Sequence, residues 1–209
     1  DSLIERRNLE KPDEILMAPP CDPWSQRQHM NRAMFGQEYQ RRLLARRQEH
    51  EECFLQLVRE LYDGQVRDGG HAHIEAPWAA DGIHTVAWSD MVGYDARLDQ
   101  CRFQANVTAV SHGKKITGLV MKPTRIRTTK RRLAVQIARR CQCRSPHIRL
   151  EGSTSKLAQN YPWPMAQELA RLIMEPDFPD AAEMFPVEED ADGMREQHQE
   201  ILKDLRKRF

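Results

Sequence analysis

Two short apolar segments, each ended by a proline, flank a long amphipathic segment, and this arrangement is the strongest constraint on the fold. The apolar segments cover residues 14–18 and 71–75, and residues 37–63 lie between them. Apolar side chains in the intervening segment recur at helical spacing, with charged residues on the other face. A strand, a helix and a second strand in this order favour two parallel neighbouring strands. The sequence therefore predicts an α/β fold with helix 37–63 packed on one face of a sheet.

Further strands and helices are predicted after residue 75. Residues 97–103 are expected to add a third strand to the sheet. A hairpin is predicted around Gly113, which residues 125–128 would extend, and its strands are residues 107–110 and 117–121. Helices are predicted over residues 85–91, 130–140 and 164–174.

Charge is unevenly distributed, although the formal net charge is only +1. Residues 97–149 contain fourteen Lys or Arg and one acid, whereas residues 172–194 contain eight acids and no Lys or Arg. A basic stretch is typical of a surface that binds a polyanion, and an acidic one of a linker or tail. We expect a polar extension (1–13), an α/β domain (14–174), and an acidic linker followed by a basic C-terminal helix (175–209).

The sequence also bears on the compartment. No run of eighteen apolar residues exists, which predicts no membrane span, and no apolar leader is visible. Five cysteines without the spacing of a disulfide framework favour a reducing intracellular compartment, nuclear or cytoplasmic. The chain does not begin with Met, and we expect it to be part of a longer protein.

The clearest chemical motif follows the first predicted strand and reads APPCDPWS over residues 18–25. It resembles the catalytic loop of DNA cytosine-5 methyltransferases, which reads Pro-Pro-Cys-Gln-x-Phe-Ser. In that family the cysteine thiolate attacks C6 of cytosine and makes C5 nucleophilic toward the methyl donor. The resemblance assigns the nucleophile to Cys21, and it assigns Pro20 and Ser25 to the S-adenosylmethionine pocket. Taken alone, Pro-Pro-Cys is more typical of a buried structural cysteine.

The second motif, IEAP over residues 74–77, ends the second predicted strand. It is similar to the family's Glu-Asn-Val or Glu-Asn-Pro, whose glutamate contacts the Watson–Crick edge of the base and favours protonation at N3. The resemblance gives this role to Glu75, while Ala76 replaces the family's Asn. The alternative is a surface carboxylate at a strand end.

The third motif has two parts, DQCRF over residues 99–103 and KPTRIRT over residues 122–128. They resemble the Tyr-Cys-x-Tyr-Gly and Lys-Pro-Thr-x-x-x-Thr signatures of a phage-type branch of these enzymes. The main family has Gln-x-Arg-x-Arg there, and its arginines hold the flipped nucleotide, which implies that role for Arg125 and Arg127. Two arginines two residues apart on a strand face the same way and can clamp a phosphate. The alternative is a solvated basic hairpin. The predicted nucleic-acid contacts are Lys122, Arg125, Arg127, Lys130, Arg131 and Arg132.

The fourth motif, AQNYPWPMA over residues 158–166, opens the last predicted helix of the domain. It is similar to the family's Gly-Asn-x-Val-x-x-x-x-Ala, which completes the donor pocket, and this implies that Asn160 binds the donor. The four motifs occur in the family's order. The resemblance therefore implies a partial Rossmann-like methyltransferase sheet with helices on both faces, forming a catalytic half domain over residues 14–174. Cys21, Glu75, Arg125 and Arg127 are expected to converge on one cleft at the carboxyl edge of the sheet.

The sequence departs from the family on the donor side. Nothing before Glu14 matches the Phe-x-Gly-x-Gly loop that holds the donor, and no long variable segment lies between Arg127 and Asn160. We therefore expect a DNA cytosine-5 methyltransferase-like domain that either uses S-adenosylmethionine together with an upstream half of the same polyprotein or is a decayed, inactive copy that lacks the donor-binding motif. One alternative is a non-catalytic nucleic-acid-binding segment of a retroelement-type polyprotein. Another is a scaffold in which residues 175–209 bind a partner.

Two further groups of residues are of types that can bind metal ions. Cys141, Cys143 and His147 could hold zinc, but one-residue spacing and only three nearby ligands favour no metal. His71 and His73 share a strand face with Glu75, and such histidines are expected to make hydrogen bonds instead.

Overall fold

The centre of the computed structural model, which describes residues 2–25, 27–111, 114–150 and 158–176, is a four-stranded mixed sheet. Its strands, in spatial order, are β1 (Glu14–Met17), β2 (His71–Pro77), β6 (Pro123–Thr128) and β3 (Tyr94–Asp99). β1 and β2 are parallel, and β6 runs antiparallel to both of its neighbours. The prediction that the three segments share one sheet, with the first two parallel, is confirmed.

Two strand predictions differ from the structure. β6 does not extend the hairpin but lies between β2 and β3, which satisfy its backbone hydrogen bonds on both sides. Its Thr124, Ile126 and Thr128 side chains are completely buried. The third strand ends at Asp99, earlier than predicted, and Gln100–Phe103 forms a 3₁₀ turn. The predicted hairpin itself is confirmed as β4 (Asn106–Ser111) paired with β5 (Lys114–Leu119), and its turn at residues 112–113 lies outside the described residues.

The predicted helix 37–63 is the middle of a longer helical segment. α2 (Arg27–His50) bends at Gly36, whose φ is 69°, and continues through a π-helical turn (Glu51–Leu55) into α3 (Gln56–Arg67). The apolar face of α3 packs on one face of the sheet. This core joins Val58 and Tyr62 of α3 to Ala72, Ile74 and Ala76 of β2.

Helices cover the other face of the sheet as well. α5 (Arg131–Ile137) and α6 (Trp163–Met174) bury Leu133, Ile137, Met165 and Leu169 against Ala96, Leu98 and Ile126. Mixed α/β architecture with helices on both faces is therefore observed.

The remaining described helices are short. α1 (Leu3–Glu10) lies within the segment predicted as a polar extension and begins with a capping box between Ser2 and Glu5. α4 (Val86–Ser89) is shorter than the predicted helix 85–91. No helix among these described segments has both the length and the apolar character needed to cross a membrane. The predicted basic C-terminal helix and most of the acidic linker lie outside the described residues.

Candidate active site

Cys21 lies in a short loop beyond the carboxyl end of β1. It precedes a 3₁₀ turn (Asp22–Trp24), and the backbone N–H of Trp24 donates to the Cys21 carbonyl at 3.0 Å. Pro23 and Trp24 are buried, whereas Cys21 is half-buried and Pro20 is exposed. The Ser25 hydroxyl donates to the carbonyl of Asp22 at 3.1 Å and thus stabilises the same turn.

The carboxyl-terminal half of α2 holds this loop. Arg47 donates to the carbonyl of Pro23 at 2.9 Å, and its guanidinium lies 4.9 Å from the ring centroid of Trp24. The indole N–H of Trp24 donates to Nδ1 of His50 at 3.1 Å. Arg46 pairs with the carboxylate of Asp22 at 2.7 Å. Several contacts from one helix therefore restrict where the thiol of Cys21 can move.

Glu75 lies near the carboxyl end of β2, on the sheet face covered by α5 and α6. Glu75 is 8% exposed, and this burial raises the pKa of its carboxyl group. A hydrogen bond with Tyr161 and the charge of Lys122 oppose this rise in pKa. A buried carboxyl group with a raised pKa is a frequent mark of functional sites.

The structure brings Cys21 and Glu75 together. Burial, followed by the charge of Glu75, raises the pKa of the Cys21 thiol, and the charge of Lys122 lowers it. Burial, Glu75 and then Cys21 all raise the pKa of Tyr161. The charges of Glu75 and Lys122 act on Cys21, and Tyr161 makes a hydrogen bond with Glu75, so these four side chains lie near one another at the carboxyl edge of the sheet.

Tyr161 and Lys122 come to this site from distant parts of the sequence. Nζ of Lys122 donates to the carbonyl of Ala158 at 3.2 Å and lies 5.7 Å from the ring centroid of Tyr161. Sequence reasoning missed Tyr161, whose only signal was its place inside the fourth motif. Asn160 is exposed and borders a cavity of about 270 Å³, together with Gln104 and Tyr161.

The expected convergence of Arg125 and Arg127 with Glu75 is wrong. Glu75 pairs with Ile126, so the arginines on either side of Ile126 leave the sheet from the opposite face. They do face the same way, because both guanidinium groups contact Asp95, at 2.6 and 2.8 Å. Both side chains are also largely buried, which excludes the alternative of a solvated hairpin.

Arg125 belongs to a basic cluster around Trp78, the residue that follows β2. The guanidinium of Arg125 lies 4.3 Å from a ring centroid of Trp78, and those of Arg97 and Arg140 each lie 5.5 Å from it. We call these four residues the Trp78 cluster. Three guanidinium groups thus make cation–π contacts with one aromatic ring near the carboxyl edge of the sheet, where Arg97 and Arg125 lie on the face opposite Glu75.

Lys130 is predicted to contact nucleic acid, but its position in the structure does not suit that role. Its ammonium group is buried, pairs with Glu14 and donates to the carbonyls of Ile173 at 2.7 Å and Glu175 at 3.0 Å. Lys130 follows the carboxyl end of the antiparallel β6, which lies at the edge opposite Cys21. Arg131 and Arg132 begin α5 at that same edge, and Arg132 pairs with Glu175 at 2.9 Å.

The two strand histidines make hydrogen bonds, as predicted. Nδ1 of His73 lies 2.7 Å from the Thr128 hydroxyl, and its Nε2 lies 2.8 Å from the Glu14 carboxylate. Nδ1 of His71 lies 3.1 Å from the Thr129 hydroxyl. Burial lowers the pKa of His73.

Comparisons with models of protein families, with curated proteins and with solved structures find no match.

Proposed function

We propose that residues 14–174 form the nucleophile-bearing half of a DNA cytosine-5 methyltransferase-like domain. The observation that carries this proposal is the shared environment of Cys21 and Glu75, two groups that lie fifty-four residues apart in the sequence. Motifs that occur in the family's order in the sequence also meet in space at one edge of the sheet. The finer assignment to a Rossmann-like methyltransferase fold is part of this proposal.

The chemistry assigned to the two residues is complementary. The Cys21 thiolate adds to C6 of a flipped cytosine, and the electron pair of the C5–C6 double bond moves into the ring toward N3. Glu75 donates a proton or a hydrogen bond at N3, which makes this movement favourable. Its raised pKa suits that role, because a larger share of the carboxyl group carries a proton near neutral pH. Burial and then the charge of Glu75 raise the pKa of the Cys21 thiol overall, and the charge of Lys122 opposes this rise and so favours the thiolate.

The methyl donor fits the described residues only in part. S-adenosylmethionine would supply the methyl group to C5, and Asn160, which borders a cavity, would contact it. The cavity beside Asn160 holds about 270 Å³, below the range of roughly 300–1,000 Å³ typical of small-molecule sites. No strand pairs with the outer side of β1 among the described residues, and Leu16 on that strand is 49% exposed. An added strand from an upstream half would cover this edge.

Addition of Cys21 to cytosine can be tested without a donor. Once sulfur has bonded to C6, C5 can take up a proton from water. Loss of the tritium from C5 as a triton and breakage of the C6–sulfur bond then restore the double bond of cytosine and release the label to water. We expect the purified chain to release tritium from DNA labelled at C5 of cytosine. Cys21→Ser should reduce release to background and Glu75→Gln should reduce it by about 10²–10⁴-fold, the usual contribution of a general acid. Cys53→Ser, at an exposed cysteine on the helical segment, should release tritium at the unchanged rate.

Methyl incorporation is the second measurement in this experiment. The chain alone should not transfer a methyl group, because the donor has no fixed position over C5. Incorporation that is abolished by Cys21→Ser would instead show that these residues build a complete donor pocket. Equal tritium release by wild-type protein and Cys21→Ser would contradict the proposal for Cys21.

A second candidate function is nucleic-acid binding without catalysis. The Trp78 cluster favours it, since arginines beside an aromatic ring can bind phosphate and stack on a base. DNA binding without any Cys21-dependent exchange would support this alternative. A scaffold role for residues 175–209 concerns a segment that lies almost wholly outside the described residues.

A further inference from the structure

Three thiols and one imidazole gather beside the carboxyl end of β3. Cys101 lies in the 3₁₀ turn after this strand, and Cys141, Cys143 and His147 lie in the segment that follows α5. Their ligand atoms all lie within 4.8 Å of one another. Sγ of Cys141 is 3.7 Å from Nε2 of His147. The cysteine that completes the set is forty residues from the others in sequence, which explains why the spacing alone indicated only three ligands.

These distances are close to those of a tetrahedral zinc centre. Zinc bonds of about 2.3 Å to sulfur and about 2.1 Å to nitrogen imply ligand atoms roughly 3.6–3.8 Å apart. Small movements of the side chains would therefore close the cluster around an ion. Three thiolates and an imidazole in a tetrahedral arrangement are typical of structural zinc sites.

The backbone around the cluster is held in place for such a site. The N–H of Cys141 donates to the buried carboxylate of Asp99 at 2.8 Å, and the N–H of Cys143 donates to Sγ of Cys141 at 3.4 Å. The N–H of Asp99 in turn donates to the carbonyl of Arg139 at 2.8 Å. Asp99 thus fixes the segment that bears two of the cysteines relative to the strand that precedes the third.

A cross-link at this cluster would stabilise an irregular segment of the chain. Residues 140–150 form neither helix nor strand, so few backbone hydrogen bonds hold them. An intramolecular disulfide would leave one of the three thiols unpaired and would give His147 no role. A metal ion uses all four side chains. We propose that Cys101, Cys141, Cys143 and His147 bind a structural zinc ion that joins residues 141–147 to the turn after β3.

This zinc site would support the candidate active site without taking part in chemistry. Gln100, the neighbour of Cys101, donates from its backbone to the carbonyl of Lys122 at 3.3 Å and from its side chain to Thr124 at 3.0 Å. The ion would therefore stabilise the turn against which Lys122 is placed. With four protein ligands it has no open position for a substrate. The proposal stands independently of the proposed methyltransferase function.

The test is metal content of the full chain, purified under reducing conditions without chelator. We expect about one equivalent of zinc per chain by elemental mass spectrometry. Cobalt substitution should give the intense visible bands of a tetrahedral site and a thiolate charge-transfer band. Cys101→Ser and His147→Ala should lose at least 10-fold in zinc affinity. Cys53→Ser removes an exposed cysteine outside the cluster and should keep full zinc.

Two controls distinguish loss of zinc binding from loss of the fold. Circular dichroism shows whether each variant keeps its helix content, and Cys143→His keeps a zinc ligand at the same position. Cys143→His should retain zinc and shift the cobalt spectrum, whereas Cys143→Ser should lose zinc. Folded wild-type protein without zinc after reconstitution and dialysis would overturn the proposal. Full zinc in Cys101→Ser, or a disulfide among Cys101, Cys141 and Cys143 in the purified protein, would also overturn it.

Discussion

Burial decides the role of single charged residues more than their place in a motif. Lys130 lies in the basic stretch of the sequence, yet its side chain is 3% exposed, pairs with Glu14 and donates to two carbonyls. Removing one partner of such a buried pair is costly, which marks Lys130 as a structural residue. Glu75 differs, because burial raises the pKa of its carboxyl group by more than the hydrogen bond with Tyr161 and the charge of Lys122 lower it. A buried acid of this kind costs stability when ionised, and function is the usual reason to keep it.

Glu75→Gln should stabilise the protein in a pH-dependent way. The folded pKa of Glu75 lies above its ordinary value of 4.5, so the folded state binds this proton more tightly than the unfolded state. Stability contributed by Glu75 is therefore present below pH 4.5 and is lost as the pH rises through the folded pKa. We expect the Tm of Glu75→Gln to exceed that of wild type by a few degrees at about pH 8, with a smaller difference at about pH 4.

Thermal unfolding across this pH range measures the effect. Glu49→Gln, at an exposed helix position, is the matched control and should leave Tm nearly unchanged at every pH. A Tm difference for Glu75→Gln that is constant between the two pH values would rule out a raised pKa at this position.

At the scale of elements, local patterns predicted more than long-range pairing did. β1, β2 and the intervening helix follow from apolar periodicity and from the prolines after each strand, which act within a few residues. The position of β6 depends on hydrogen bonds to strands about thirty and fifty residues away, and no local signal specifies it. The opposite directions of Glu75 and Arg125 follow from that register alone. Cys101 could not be assigned to the zinc cluster from the sequence for the same reason, since only the folded chain shows which distant residues lie close together.

The contact between α2 and the Cys21 loop predicts a difference between two neighbouring arginines. Arg47 is 16% exposed and donates to the Pro23 carbonyl and to Asp81, whereas Arg46 is 54% exposed. Arg47→Met keeps much of the apolar stem but removes the donor to the carbonyl of the buried Pro23 and one of the ion pairs of Asp81. We expect it to lower the free energy of unfolding by about 1–3 kcal/mol and to slow Cys21-dependent exchange.

Urea unfolding and tritium release measure these two effects. Arg46→Met removes an exposed ion pair and should change the free energy of unfolding by less than about 1 kcal/mol. If the two variants are equally stable and equally active, α2 does not hold the loop.

At the scale of the whole molecule, basic residues lie at two opposite edges of the sheet. Its carboxyl edge carries Cys21, Glu75, Lys122 and the Trp78 cluster, since β1, β2 and β3 all end there and β6 begins there. Arg132 lies at the opposite edge, where it pairs with Glu175. The basic stretch of the sequence is thus divided between two ends of the domain, and only one end adjoins the candidate site. A flipped base can reach Cys21 only if the DNA lies along the carboxyl edge.

The salt dependence of DNA binding should therefore identify which edge contacts DNA. Each phosphate contact contributes about 0.9 to the slope of log K against log salt concentration, because binding releases a counterion. Arg140 is exposed at the carboxyl edge and lies beside Trp78. Arg140→Gln should lower the magnitude of the slope by about 1, whereas Arg132→Gln, which removes the same charge at the other edge, should leave the slope unchanged. Fluorescence anisotropy with a labelled duplex over a series of salt concentrations measures both slopes. A lower slope for Arg132→Gln and an unchanged one for Arg140→Gln would place DNA at the edge away from Cys21, where no base could reach the thiol.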